Sequence, residues 1–143
     1  MALAPYKALF LDFDGVLHPT GDGIEEVKHP FIWRPLLEGV LSGHSEVGIV
    51  VSSTWRYTHS DLELRQLLGS AKHHFLGAIP RGPRYDGIKW WLHMNRGFNT
   101  FRILDDHARD FPERPPELLL CNPLMGLTTP GVLDGLRGWL ESA

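Results

Sequence analysis

Apolar positions recur along the chain in two rhythms. Ala8-Leu9-Phe10-Leu11 is an unbroken apolar run that stops at Asp12. Runs of this kind belong to strands buried on both faces. Val47 to Val51 repeats the pattern with β-branched residues and stops at Ser52. Shorter runs at Phe75 to Ile79, Phe101 to Leu104 and Leu118 to Leu120 complete the predicted strands. Between them the spacing turns helical. Trp33 to Leu41 reads as a helix with Pro35 in its first turn, where a missing N–H costs nothing, and Gly43 as its stop. Asp61 to Leu68 carries Leu62, Leu64, Leu67 and Leu68. Ser60 precedes it and Glu63 follows three residues later, the pattern of a capping box, with Gly69 as the stop. Asp86 to Asn95 is a third predicted helix. In Val132 to Leu140, residues Val132, Leu133, Leu136, Trp139 and Leu140 share one helical face. Gly15 to Pro30 is polar and rich in Gly and Pro, so it reads as a loop or short hairpin. Strands alternating with helices predict an α/β three-layer sandwich around a mostly parallel, five-stranded, Rossmann-like sheet.

Composition narrows the setting. With 143 residues, 43% of them hydrophobic, the chain is expected to fold as one domain, 1–143. Fourteen Lys and Arg against 17 Asp and Glu give a net charge of −3. A strongly basic surface is excluded, so no stable nucleic-acid complex is expected from charge alone. Cys121 is the one cysteine, so no intrachain disulfide can form, which fits a reducing compartment. No run of about 18 apolar residues is present, so no membrane span is expected. The N-terminal residues lack the apolar core of a signal peptide. A cytoplasmic protein is the expectation.

A parallel sheet concentrates chemistry at the carboxyl ends of its strands. The first run ends in Asp12-Phe13-Asp14-Gly15, the second in Ser52-Ser53-Thr54 and the fourth in Asp105-Asp106. Arg84 and Lys89 are the cations upstream of, or inside, the third helix. Clustered carboxylates raise one another's pKa, and a hard cation relieves the repulsion. Mg²⁺ takes oxygen ligands and leaves room for waters and substrate phosphate. Hydroxyls and a side-chain cation beside it would hold phosphate oxygens. Phosphoryl transfer needs that combination of positioning, charge neutralisation and in-line attack.

Leu9-Phe10-Leu11-Asp12-Phe13-Asp14-Gly15-Val16-Leu17 resembles the first motif of the haloacid dehalogenase (HAD) superfamily. Val50-Val51-Ser52-Ser53-Thr54 resembles its second, and Ile103-Leu104-Asp105-Asp106 its fourth. Ser-Ser-Thr-Trp-Arg at 52–56 and Asn-Pro-Leu-Met-Gly-Leu-Thr at 122–128 also resemble the HAD domain of "Swiss army knife" RNA-repair proteins and its stand-alone relatives. The resemblance spans roughly residues 6 to 140.

It implies a Mg²⁺-dependent phosphatase with Asp12 as the nucleophile that forms an aspartyl-phosphate. Asp14 is then the general acid for the leaving group and afterwards the base that activates water. The Asp12 side chain, the Asp14 backbone carbonyl and Asp105 would hold Mg²⁺, with Asp106 in or next to that set. The phosphate-binding hydroxyl is Ser53 by its place before Thr54-Trp55, with Ser52 its rival one residue away. Backbone N–H groups of Thr54 and Phe13 would assist. The third motif departs from the superfamily pattern, which offers a Lys just before a helix. Arg84 fits by position and Lys89 by residue type.

The gaps also carry a prediction. About 40 residues separate the first motif from the second, and about 30 lie between Thr54 and Arg84. Both gaps are filled by predicted elements, so no cap domain is expected. The resemblance implies a capless form with an open site, often used on large substrates such as phosphoproteins or nucleic-acid ends, with Leu17 to Pro30 as a small flap. The expected partner is a phosphorylated substrate, a small molecule or a nucleic-acid end. His18 and His107 follow the first and fourth motifs and are candidate substrate contacts. Asp110 reads as a solvated loop residue, and Trp55, Trp90 and Trp91 as core or groove aromatics. Arg56, Arg81, Arg84 and Arg96 read as scattered solvated charges sooner than a basic rim. No His spacing matches a zinc site. Two rival functions stand beside the phosphatase: a phosphate-binding or regulatory module without catalysis, and a dehalogenase, which would have little use for Asp14 or Asp105-Asp106.

Overall fold

The computed structural model describes residues 4–20 and 30–142. Five strands form one parallel sheet: β1 (Lys7–Leu11), β2 (Val47–Val51), β3 (Phe75–Ala78), β4 (Thr100–Asp105) and β5 (Leu118–Leu120), in the order β3-β2-β1-β4-β5. Among the described residues four α-helices accompany them: α1 (Arg34–Leu41), α2 (Asp61–Leu67), α3 (Arg84–Met94) and α4 (Val132–Glu141). The α/β class, the parallel sheet and the Rossmann-like layering agree with the pattern in the sequence. Among the described residues there is no cap subdomain. No described helix is long and apolar enough to cross a membrane. The flap expected over Leu17 to Pro30 falls largely on 21–29, outside the described residues.

Strand periodicity builds the layers. Leu9 and Leu11 point into a core shared with Ile49, Val51, Leu37 of α1, Leu64 of α2 and Leu136 and Trp139 of α4. Ala8 and Phe10 point the other way, into a core with Val50, Ile103 and Ile88 and Trp91 of α3. Neighbours along a strand face opposite sides. The continuous apolar run of β1 is therefore what a strand covered on both faces requires, and it is fully buried.

Helix starts follow local chemistry. Pro35 lies in the first turn of α1. Ser60 accepts the Glu63 N–H while the Glu63 carboxylate accepts the Ser60 N–H, so the capping box is complete. The third helix begins two residues earlier than its sequence pattern predicts. Pro83 has φ −56° and stands as the N-cap. Its carbonyl accepts the first helical bond from Gly87 N–H at 3.0 Å. Arg84 is therefore the first helical residue, not a loop residue ahead of the helix.

The strand order places the site. From β1 the chain winds outward through β2 and β3, then returns to the other side of β1 for β4 and β5. The reversal lies between β1 and β4, where a crevice opens at the carboxyl ends of such sheets. Asp12 follows β1 and Asp105 ends β4. The ladder runs one residue past β1: Asp12 N–H donates to Leu104 O at 3.0 Å and Ser52 N–H to Leu11 O at 2.9 Å.

Candidate active site

Asp12 and Asp105 are both buried at this switch point. Asp12 Oδ1 accepts the N–H of Phe13 at 2.9 Å. Its Oδ2 is buried and takes no hydrogen bond. Arg84 Nη1 lies 3.2 Å from that oxygen, but off the line of an N–H bond. The same nitrogen donates to Asp105 Oδ1 at 3.0 Å and Oδ2 at 2.8 Å. His107 N–H donates to Asp105 Oδ1 at 2.8 Å. Arg84 Nε lies 3.7 Å from Asp110 Oδ2. Asp110, expected as a solvated loop residue, is thus the outer partner of this arginine.

Asp106 approaches from the loop after β4. Oxygens of Asp12, Asp105 and Asp106 all lie within 4.8 Å of one another, the one such three-ligand group among the described residues. Gly15 makes that approach possible. Its φ is +74°, and a Cβ there would collide with the Asp106 carboxylate. A glycine is needed on both counts.

Burial pushes the Asp12 carboxyl well above its ordinary pKa, and neighbouring Asp105 pushes it further, against the pull of Arg84. Burial likewise raises Asp105, again with Arg84 opposing. Burial works against the Arg84 charge, yet Asp12 and Asp105 outweigh it and hold the guanidinium charged. The clustered carboxylates of Asp12, Asp105 and Asp106, the first two facing the Arg84 guanidinium, form an electron-rich nest with an orphaned buried oxygen. The donors are all hard oxygens, so the residues present fit a hard divalent cation. The thiol of Cys121 is buried nearby and is pushed up to about 12 by burial and by these acids, so it is not a thiolate nucleophile.

Asp14 points elsewhere. Its Oδ1 accepts His18 Nε2–H at 2.7 Å and Trp55 Nε1–H at 3.1 Å. The hydrogen bond from His18 is the main cause that holds its pKa below the usual carboxylate value. Its side chain is 39% exposed, so it reaches solvent where Asp12 does not. The Asp14 carboxylate is not among the three clustered acids. The superfamily resemblance assigns its metal contact to the backbone carbonyl.

The second motif closes the crevice from β2. Ser53 caps the 3-10 turn Thr54–Tyr57, and its Oγ accepts Trp55 N–H at 3.3 Å. That bond uses a lone pair and leaves the hydroxyl hydrogen free to donate. Ser52 Oγ is buried without a partner. Thr54 is exposed and lines an open cleft of about 230 Å³ with Arg56, Tyr57, Arg84, His107 and Asp110. Arg56 is not a free surface charge. Its guanidinium donates to the carbonyls of Ser52 at 2.8 Å and Ser53 at 2.9 Å and reaches Gly82 O at 3.2 Å. It ties the second motif to the loop that leads into α3.

The two third-motif candidates part company. Arg84, 11% exposed, sits inside the acidic group. Lys89 lies more than a turn further along α3, 55% exposed, 3.9 Å from Asp86 and over the Tyr85 ring. The structure brings Asp12, Asp105, Asp106, Arg84, Ser53 and Thr54 to one crevice and leaves Lys89 outside it. The early helix start is the reason. It turns Arg84 toward the strand ends and Lys89 toward solvent.

His18, a candidate substrate contact, is fully buried and bonded to Asp14. His107 is exposed and lies 3.4 Å from Asp110. Trp55, expected as a core or groove aromatic, has a further role. Its indole N–H is a second donor to Asp14, and nothing in local spacing marks that.

Comparison with known proteins bears on this geometry. No curated protein and no solved structure gives a significant match. A family model described as "HAD domain in Swiss Army Knife RNA repair proteins" matches residues 8–132, which include every strand-end acid of the crevice. With that match and this sheet, the chain belongs to the HAD superfamily, as a domain of the kind found in Swiss Army Knife RNA repair proteins.

Proposed function

We propose that this chain is a Mg²⁺-dependent phosphomonoesterase that works through an aspartyl-phosphate on Asp12. The observation that carries this reading is Asp12 Oδ2: buried at the switch point, free of hydrogen bonds, and 3.2 Å from Arg84 Nη1. A nucleophile needs a lone pair that no donor occupies, and the unbonded Oδ2 meets that need.

Oδ2 of Asp12 attacks phosphorus as the bond from phosphorus to the leaving oxygen breaks. Asp14 gives its proton to that oxygen. Asp14 then takes a proton from a water that attacks the same phosphorus. The Asp12–phosphorus bond breaks, phosphate leaves, and the carboxylate of Asp12 is restored. Arg84 faces the negative charge that builds on the phosphoryl oxygens, and Ser53 O–H and the Thr54 N–H are donors to them. Asp12, Asp105 and Asp106 with the Asp14 carbonyl would hold Mg²⁺, which would supply the charge that offsets the clustered acids and the substrate phosphate.

Two features support substrates in which a phosphate sits on a larger body, nucleic-acid ends among them. The cleft over Arg84 is open, with no cap among the described residues. The family description names RNA repair. The buried single thiol of Cys121 supports a cytoplasmic setting.

The test is release of inorganic phosphate from p-nitrophenyl phosphate and from 3′- and 5′-phosphorylated oligonucleotides, with Mg²⁺ or EDTA. Release that needs Mg²⁺ and disappears in Asp12→Asn is the expected result. Undiminished turnover by folded Asp12→Asn would sink the nucleophile assignment. Phosphate binding without release would make the chain a binding module.

A further inference from the structure

His18 and Trp55 are bonded to Asp14 in a way the acid clustering does not require. Both donors converge on one oxygen, Oδ1, at 2.7 and 3.1 Å. Among the described contacts Oδ2 has no partner. The donor role of His18 is fixed from behind. Phe31 N–H donates to His18 Nδ1 at 3.2 Å, so the ring hydrogen lies on Nε2, facing Asp14. The imidazole is fully buried. It packs edge-on against Phe31, with ring centres 5.1 Å apart, and beside Trp55 at 5.9 Å. Trp55 is held in turn by Phe13, Phe31 and a stacked His59 at 5.0 Å. Three further rings, Phe13, Phe31 and His59, therefore hold the two N–H donors against a single carboxylate oxygen.

We infer that His18 and Trp55 are positioning residues for proton transfer: they fix the rotation of the Asp14 carboxyl so that Oδ2 alone faces the reacting phosphate. The inference rests on the phosphatase reading above. A carboxyl free to spin about its bond would offer its proton in many directions. Correct placement of a reacting group is worth large factors in rate. With Oδ1 filled by two donors, a proton taken up by Asp14 has its place on Oδ2 and is delivered from there to the leaving oxygen.

The prediction concerns leaving groups. An alkyl phosphate needs a proton on its leaving oxygen as the bond breaks. p-Nitrophenyl phosphate needs none. Trp55→Phe keeps a ring and deletes the N–H, and His18→Leu deletes the other donor. The effect is read in kcat/KM, which reports phosphoryl transfer. Each change is expected to lower kcat/KM about 100-fold on an alkyl phosphate and about threefold or less on p-nitrophenyl phosphate, the range of general acid catalysis. His18→Gln, which carries both an acceptor for Phe31 N–H and a donor for Asp14, should recover most of the loss. In an Asp14→Ala background, Trp55→Phe should cost nothing more.

Equal losses on both substrates, or an undiminished loss in the Asp14→Ala background, would make the pair structural and overturn the inference. So would wild-type rates on both substrates in Trp55→Phe, whose half-buried ring makes it the variant least exposed to misfolding. These outcomes leave the phosphatase reading standing. Failure of the wild-type chain to release phosphate from either substrate would remove that reading, and this inference with it.

Discussion

One nitrogen of Arg84, Nη1, stands between two buried carboxylates, 2.8 Å from Asp105 Oδ2 and 3.2 Å from Asp12 Oδ2. Asp12 follows β1 and Asp105 ends β4, so the guanidinium is the clasp across the switch point. Removing one partner of a buried charged set leaves the others uncompensated, at a cost of about 3–5 kcal/mol. Arg84→Gln should therefore melt at a lower temperature than wild type in EDTA. Added Mg²⁺ should restore part of the difference, because a cation at the same acids does the same electrostatic work. Phosphatase kcat/KM should fall about 100-fold or more, the loss typical of one lost electrostatic donor. Melting curves with and without Mg²⁺ check the first part. A melting temperature in EDTA equal to wild type would contradict it.

Gly15 and Asp106 make a second, steric prediction. The glycine sits at φ +74°, and its missing Cβ is the space that the Asp106 carboxylate fills. Gly15→Ala adds backbone strain of about 1–2 kcal/mol and drives Asp106 outward. The expected result is about a tenfold or greater loss in divalent-cation affinity, on the scale of lost support around a metal site. Titration calorimetry with Mn²⁺ measures it. Unchanged affinity would mean that Asp106 contributes little to cation binding.

The fold was legible because its signals are local. The apolar run of 8–11, the β-branched run of 47–51 and the capping box at Ser60 each act over a few residues, and each formed the element it predicts. The acids were legible for the same reason: each follows a strand, and the sheet order brings their strands together. What stayed open depends on direction. Arg84 and Lys89 are five residues apart, and which one faces the crevice turns on where α3 begins. That start is set by Pro83 as N-cap. The sequence pattern favoured a start at Asp86. Ser52 and Ser53 differ by one strand register, and both are buried, so spacing alone does not rank them. The roles of Trp55 and Asp110 arise from contacts between segments far apart in the chain. Trp55 meets Asp14 across 41 positions and Arg84 meets Asp105 across 21. No short window contains those pairs.

Acid should act on a surface link away from the crevice. The Glu38 carboxylate accepts both the N–H and the O–H of Ser70 at 2.6 Å. It also lies 3.8 Å from Arg34 Nε. The hydroxyl bond from Ser70 is the main cause that holds the Glu38 pKa below its ordinary value. A lowered folded-state pKa means the folded chain prefers the ionised form more than the unfolded chain does. The stabilisation is complete above the unfolded value, near pH 4.3, and is lost as pH falls through the lower folded value. Glu38→Gln imitates the protonated carboxyl. It should cost about 1 kcal/mol at pH 7, and the gap to wild type should close as pH drops below about 4. Urea unfolding at several pH values measures that gap. A gap independent of pH would assign the effect to packing instead of charge.

Lys7 offers the complementary case, a buried charge with no part in the crevice. It is the first residue of β1 and is fully buried. Its Nζ donates to the carbonyls of Trp139, Leu140 and Ser142 at 3.0, 3.1 and 2.7 Å. These oxygens belong to the last turn and C-cap of α4, where helical N–H partners run out, although Trp139 O also accepts the Ser142 N–H at 3.1 Å. A cation there also meets the negative end of the helix dipole. Lys7 thereby joins the start of the central strand to the end of the closing helix. Lys7→Met keeps the stem and removes the charge and all three bonds. Charged hydrogen bonds are worth about 1.5–3 kcal/mol, but the freed carbonyls can turn to water at the frayed end. A net loss of about 2 kcal/mol in urea unfolding is expected. Amide exchange should quicken in the last turn of α4 and not in β1. Below the unfolding transition, kcat/KM should stay at the wild-type value, since Lys7 is at the opposite end of β1 from Asp12. A fall in kcat/KM in the folded protein would show that the closing helix supports the crevice, contrary to the separation drawn here.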